Sequence, residues 1–174
     1  MKNILIILAF ITSSTLFTAC SNSNTTDDFS SPEAAAKSYF NVLKSLNKDS
    51  VKSVMLTFDE FVMLKNNKPG FAEGLDKLGS EDAAQYEGVI KETMNTYDRF
   101  YGSFTKHMLT PDKFKEASYT GEEIQTNEFN GLELIRIMLD FKTDKDYTMR
   151  VTAVKVNGVW KAVDFGEVEV KMGR

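Results

Sequence analysis

Hydrophobic residues recur every three or four positions through the first part of the chain and every second position beyond residue 114. The first helical segment starts sharply, because Ser31 is a good N-cap and Pro32 suits the first helical position. Apolar residues at helical spacing then predict one buried face. These residues are Ala36, Tyr39, Phe40, Leu43 and Leu46.

A second helix is predicted to start within residues 47–50, which break the first helix and cap the next. It ends at residues 66–70, and the state of residues 66–79 is left open. The apolar positions of this helix continue at the same spacing across its whole length, which indicates one uninterrupted element. They are Val51, Val54, Met55, Phe58, Phe61 and Val62.

The longest predicted helix opens at residues 80–82 and stops at Thr110-Pro111, since the residue before proline is pushed out of helical space. Its apolar stripe is unusually aromatic. We interpret the stripe as a face packed on a sheet rather than as a ligand or cofactor groove. The stripe consists of Tyr86, Val89, Ile90, Met94, Tyr97, Phe100, Tyr101, Phe104 and Met108.

Four strands are predicted where the period becomes two, at residues 113–126, 132–142, 147–156 and 159–170. Asn130-Gly131 and Asn157-Gly158 are strong signals for two-residue hairpins, because both turn positions need a positive φ. Helices first and strands last predict an α+β fold, with the helices on one face of an antiparallel sheet.

Residues 1–19 have the layout of a secretory signal peptide. Lys2 supplies the positive charge, and residues 4–11 form an apolar run of about eight residues, far shorter than a membrane span. The small residues Thr18 and Ala19 then precede Cys20. The segment resembles the bacterial lipobox, although Phe17 stands where leucine is preferred.

We therefore expect cleavage before Cys20 and acylation of its thiol, which would anchor the chain in a bacterial cell envelope. In a cell with two membranes, Ser21 after the cysteine favours the outer membrane. The alternative is an ordinary cleaved signal beside a chance cysteine. We expect residues 20–31 to form a polar tether and residues 32–174 to form one domain.

Composition narrows the function classes. The 174-residue chain has a formal net charge of −4, with basic residues scattered among acidic ones, which argues against nucleic-acid binding. Acylation of Cys20 removes the only thiol, so disulfides and thiolate metal sites are excluded. Acidic residues at 122–123 and 144–146 lack calcium-loop spacing. We predict no metal site and no cofactor.

Two segments carry a resemblance to a known superfamily. One is residues 31–40, from Ser31-Pro32-Glu33 to Tyr39-Phe40, and the other is residues 156–165, which include a Trp-Lys pair. Together with the order of elements they resemble the nuclear transport factor 2-like superfamily, in particular its bacterial lipoproteins. The resemblance implies a curved sheet wrapped on helices into a cone, often in a dimer. No catalytic motif of its enzymes matches this chain.

Candidate ligand-binding residues lie on the predicted strands. Arg136 and Asp140 share one face of a strand, and Thr148, Arg150 and Thr152 share one face of the next. If the two faces coincide and line a concave surface, they form a cradle for an anionic ligand. If that face is open to solvent, they form weak cross-strand ion pairs, and we favour this interpretation because alternation does not identify the covered face.

The sequence leaves the biochemical role broad. His107, the only histidine, is placed near a helix C-terminus, where a structural role fits better than catalysis. We expect a non-enzymatic, lipid-anchored envelope protein that binds a small ligand or another envelope protein. The alternatives are an isomerase or dehydratase with a pocket in the cone, and a homodimeric subunit. A pocket filled by aromatic side chains would count against an enzyme.

Overall fold

A computed structural model describes residues 27–77 and 93–171, together with the single positions 84 and 88. In residues 27–77 and 93–171 seven helical segments precede four strands, which confirms the α+β class. The helical segments are α1 (Pro32–Lys44), α2 (Lys48–Val54), α3 (Phe58–Asn67), α4 (Pro69–Lys77), α5 (Thr93–Gly102), a 3₁₀ helix (Ser103–His107) and α6 (Pro111–Lys115).

The strands form one antiparallel sheet in the order β1-β2-β3-β4, which is not closed. Both predicted hairpins are confirmed, because Asn130 and Gly131 have φ angles of 50° and 81°, and Asn157 and Gly158 have 51° and 83°. These values are the ones that a two-residue type I′ turn requires. The strands are β1 (Ser118–Phe129), β2 (Leu132–Lys142), β3 (Asp146–Val156) and β4 (Val159–Val170).

The first strand starts later than predicted, at Ser118 instead of residue 113, because α6 precedes it. Thr110 caps α6 by accepting a hydrogen bond from the Lys113 amide at 3.2 Å, and Pro111 takes the first helical position. A Ser-Pro pair starts α1 in the same way. The Thr-Pro pair therefore starts a helix as well as separating it from the one before.

The predicted long helix is described from Thr93 onward. Phe100 and Phe104 are buried, which confirms the core role of this part of the aromatic stripe. Met108 is 78% exposed, so its assignment to the stripe was wrong. After α5 the backbone tightens into the 3₁₀ helix and turns left-handed at Met108, with a φ of 57°, so the α-helical period does not reach it. The predicted start at residues 80–82 and the stripe positions 86, 89 and 90 lie outside the described residues.

The predicted second helix is two helices. Between α2 and α3 the chain is extended, and Met55 forms a parallel bridge with Ala162 in β4. The Leu56 amide donates to the Ala162 carbonyl at 2.7 Å. Thr57 then starts α3 through a capping box with Glu60. Of the segment left open by the sequence, residues 69–77 form α4.

One face of the sheet, the inner face, carries the larger core. Helices α1 and α5, with the 3₁₀ helix and α6, supply aromatic side chains that meet it. The ring of Phe114 lies at their centre, with its centroid 5.0–6.0 Å from those of Phe40, Phe100 and Phe104. The sheet residues at the centre of this face are fully buried: Ile137, Leu139, Phe141, Val151, Ala153 and Phe165.

A second core lies on the opposite, outer face of the same sheet. Leu132 on β2 and Val154 on β3 lie on this outer face, and apolar residues of α3 and α4 bury them. The prediction of helices on one face is therefore wrong. The reason is the extended dipeptide beside β4, which places Met55 in the inner core and Leu56 in the outer one. The residues that meet Leu132 and Val154 include Leu56, Phe61, Leu64 and Phe71.

Part of the segment that the sequence assigned to the tether contacts the domain. Phe29 packs its ring 5.1 Å from that of Tyr39, and its carbonyl accepts a hydrogen bond from the Trp160 amide at 2.9 Å. The Asp28 amide and carbonyl both bond the hydroxyl of Ser38, at 2.8 and 2.9 Å. Asp28 and Phe29, which the sequence assigned to the tether, are therefore bonded to the domain.

Candidate functional site

The part of the outer face that α3 and α4 leave bare carries the predicted polar residues. In the β2–β3 register Arg136 lies opposite Thr152, and Asp140 lies opposite Thr148. Arg150 lies opposite a methionine between them, so all five predicted residues share one face. We call this surface the polar half of the outer face, and the part beneath α3 and α4 the covered half.

A groove of about 480 Å³ crosses the polar half. It includes three of the five predicted residues, Arg136, Thr148 and Arg150, whereas Asp140 and Thr152 lie outside its lining. The sequence did not identify the contributions of β1 and β4 to its walls. The lining residues are Glu123, Gln125, Arg136, Met138, Thr148, Met149, Arg150, Gly166, Glu167 and Glu169.

A bulge in β4 shapes one wall of the groove. The register between β3 and β4 shifts so that Gly166 and Glu167 both lie opposite Arg150. A β-carbon at Gly166 would come within 3.2 Å of both the Arg150 β-carbon and its carbonyl oxygen. A side chain at this position would require the neighbouring backbone to move by a few tenths of an ångström, and bulges of this kind redirect neighbouring side chains.

Several charged side chains around the groove form ion pairs. Asp164 on β4 pairs with Arg99 of α5 and lies 3.6 Å from the guanidinium of Arg150. Asp140 pairs with Lys171 just beyond the sheet, so it does not serve as a free carboxylate. Within the described residues Arg136 has no ion-pair partner.

Glu167 on the groove wall is held in its ionised form. Its carboxylate accepts a hydrogen bond from the Lys106 ammonium at 2.7 Å, and this contact lowers the pKa of Glu167. A carboxylate held ionised in this way accepts hydrogen bonds but does not readily donate a proton. Its position therefore suits recognition of a polar group better than acid catalysis.

Tyrosines of the predicted aromatic stripe serve as structural hydrogen-bond donors. Tyr101 donates to the carbonyl of Leu43 at 2.5 Å, and Tyr97 donates to that of Leu46 at 3.1 Å. Burial raises the pKa of both hydroxyls, so they stay protonated and tie α5 to the end of α1. Their contacts are those of a packed interface between helices.

The residues that the sequence analysis considered for catalysis or metal binding have structural contacts. His107 ends the 3₁₀ helix, and its carbonyl oxygen lies 3.5 Å from the hydroxyl of Tyr147. Asp144 pairs with Lys113, and Glu122 accepts from the hydroxyl of Tyr119. No group of three or more His, Cys, Asp or Glu side chains is placed to hold a metal ion in the described part of the chain.

The signal segment and Cys20 lie outside the described residues. In residues 27–77 and 93–171 no helix is long and apolar enough to cross a membrane. Comparison with known proteins found no matching family model, no matching curated protein and no matching solved structure.

Proposed function

We propose that this protein is a lipid-anchored protein of a bacterial cell envelope that binds a ligand or another envelope protein without catalysing a reaction. The observation that carries the binding role is the groove on the polar half, with Arg136 and Arg150 on its floor. In the register the two arginines are diagonal neighbours, with Cα atoms about 7–8 Å apart. One carboxylate or phosphate group could bridge two guanidinium groups at this spacing.

The walls of the groove narrow the chemistry of the binding partner. Glu123 on β1 and Glu167 and Glu169 on β4 surround the two arginines. Such carboxylates repel a ligand that is anionic throughout, and they attract a cationic group beside the anionic one. The arrangement favours a ligand or a protein segment that carries both charges over the purely anionic ligand that the sequence suggested for a concave surface.

The filled inner face supports binding over catalysis. An isomerase or dehydratase of the cone type needs a pocket with a reactive ionisable group between helices and sheet. Here that space contains the packed rings of α1, α5 and α6 against Phe141, which is fully buried. Membership of the nuclear transport factor 2-like superfamily, with a cone-like sheet, is part of the proposal, and the helices-then-meander order and the bulged β4 support it.

The binding role can be tested by photocrosslinking in the intact envelope. A photoreactive amino acid at Met138, on the groove floor, should give a discrete adduct that disappears in a variant with Arg136→Ala and Arg150→Ala. A matched variant, Lys37→Ala with Lys115→Ala, removes two exposed cations elsewhere and should keep the adduct. An adduct of equal yield in both double variants, or none with the parent chain, would contradict the proposal.

The anchor can be tested independently of binding. Mass spectrometry of the mature N-terminus should find an acylated Cys20, and Cys20→Ser should move the protein from the membrane fraction to the soluble fraction. An unmodified Cys20, or cleavage at another residue, would contradict the anchor and leave the groove experiment unaffected.

A further inference from the structure

Both hairpin turns lie at the same end of the sheet, which we call the turn end. Among the described residues three large apolar side chains are clearly exposed, and two of them flank these turns. Phe129 precedes the β1–β2 turn and is 43% exposed, and Val159 follows the β3–β4 turn and is 40% exposed. The third, Met108, lies near the opposite end, since its neighbour His107 contacts Tyr147 at the start of β3.

The N-terminal segment joins the domain at the turn end. Phe29 bonds Trp160, which is the second residue of β4, and Asp28 bonds the side chain of Ser38. Tyr39 reinforces this junction by donating its hydroxyl to the Trp160 carbonyl at 2.9 Å. The chain that leads back to Cys20 therefore leaves the domain close to the β3–β4 turn.

The length of that chain limits how the domain can sit. Eight residue steps separate Cys20 from Asp28, which reach at most about 29 Å when fully extended. The 11 residues of β3 span about 33 Å along the sheet. The tether is therefore too short for the end opposite the turns to rest on the surface that holds Cys20 with the sheet upright.

From this geometry we infer that the turn end is a membrane-contact surface, with Phe129 and Val159 dipping into the headgroup region of the bilayer. The inference rests on the proposed acylation of Cys20. The two side chains lie on the two edge strands, three strand spacings or about 14 Å apart. With the tether they make three points of contact, which fix an orientation, whereas an anchor alone permits rotation. Aromatic and aliphatic side chains are favoured at this depth.

This orientation has a consequence for the binding groove. Leu132 and Val156, at the turn end of β2 and β3, lie under α3 and α4. Arg136 and Arg150 lie farther along the strands. The covered half therefore stands between the bilayer and the groove, and the groove lies farther from the lipid surface on the side of the domain.

Tryptophan scanning in vesicles tests the orientation. Phe129→Trp, Val159→Trp and the control Met108→Trp are made in the acylated mature protein, and each is inserted into phosphatidylethanolamine–phosphatidylglycerol vesicles with brominated acyl chains. Trp160 is 2% exposed and supplies a constant background. The first two variants should lose about half of their added fluorescence by contact with brominated lipid, and Met108→Trp should lose none. Near-ultraviolet circular dichroism verifies that each variant is folded.

A second arm of the experiment distinguishes a wrong membrane-contact surface from a wrong assignment of the anchor. The same variants are also coupled through the Cys20 thiol to a maleimide phospholipid, which holds the mature chain on vesicles without cellular acylation. If the cellular protein lacks acyl chains but the coupled protein shows the expected quenching, the orientation stands and the proposed anchor falls. If Met108→Trp is quenched as strongly as the other two, or no variant is quenched on acylated protein, the membrane-contact surface is overturned while the anchor remains.

Discussion

The covered and polar halves of the outer face are made by the same two strands, and yet one half packs on helices and the other forms an open groove. On β2 the difference arises within a few alternate positions, where Leu132 and Leu134 give way to Arg136 and Asp140. β3 changes in the same register, from Val154 to Thr152. The side chains at matched cross-strand positions therefore decide how much of the outer face α3 and α4 cover.

The largest expected contrast comes from truncating one apolar side chain on each half. Phe61→Ala removes a ring that is 2% exposed and packs against Phe71, and it should lower the free energy of unfolding by about 3–5 kcal/mol. Met138→Ala on the polar half removes a partly exposed side chain and should cost less than about 1 kcal/mol. Urea denaturation followed by circular dichroism measures both. Equal losses would mean that the two halves do not differ in burial.

A smaller effect is expected from the cap that starts the covering helix. Thr57→Ala removes the hydroxyl that accepts from the Glu60 amide at 3.2 Å, and it should lower the free energy of unfolding by about 1 kcal/mol. Ser53→Ala, at an exposed position near the end of α2, should change the free energy of unfolding by less than about 0.5 kcal/mol. A Thr57→Ala variant as stable as the parent would show that packing alone positions α3.

On the polar half the corresponding interactions are ionic and weaker. Asp164→Asn removes the partner of both Arg99 and Arg150 and should cost about 1 kcal/mol or less, because all three side chains are reached by solvent. Stability is measured at low salt and in 1 M NaCl, and the difference from the parent should shrink in high salt as the charges are screened. Glu167→Gln, which removes a single pair, should show a smaller difference. A loss that is independent of salt would indicate a packing role for Asp164.

The smallest effect concerns an exposed pair remote from both halves. A hydrogen bond from the Lys113 ammonium, supported by Thr143, lowers the pKa of Asp144 to about 2 from its ordinary 3.8. The pair therefore stabilises the folded state above about pH 4, and this contribution disappears as the pH falls from 3.8 to about 2. In Lys113→Ala the carboxyl should titrate near its ordinary pKa in an NMR experiment. In Lys115→Ala its titration should not change, and a shift there would assign the lowered pKa to general charge.

Local chemistry explains why the sheet was predicted well. An Asn-Gly pair adopts the positive φ angles of a two-residue turn more readily than most pairs, so both hairpins and the bounds of β2 follow from a few residues. The break between α2 and α3 was missed, since Phe58 and Phe61 continue the helical period across it. The break exists because Leu56 bonds Ala162, a residue far away in the chain, although the Thr57–Glu60 capping box was a visible signal.

The candidate site was predictable only in part, for a similar reason. Alternation identified residues that share a face within each strand, and the register brought the two sets onto one face. Alternation contains no information about partners outside the sheet. The pairing of Asp140 with Lys171 and of Asp164 with Arg99 depends on how a terminal segment and a helix pass the edge of the sheet. The groove walls from β1 and the bulged β4 depend on the same tertiary details.

The pairing of Leu56 with Ala162 also sets the order in which the chain can fold. Ribosomes make α3 and α4 long before β4, and contacts between distant parts of a sequence form slowly. Until the last strand is made, the apolar faces of α3 and α4 have no complete sheet to pack on, and exposed surfaces of this kind attract chaperones and other chains. Because the extended dipeptide Met55-Leu56 pairs with β4, the two cores cannot be completed until the final hairpin has formed.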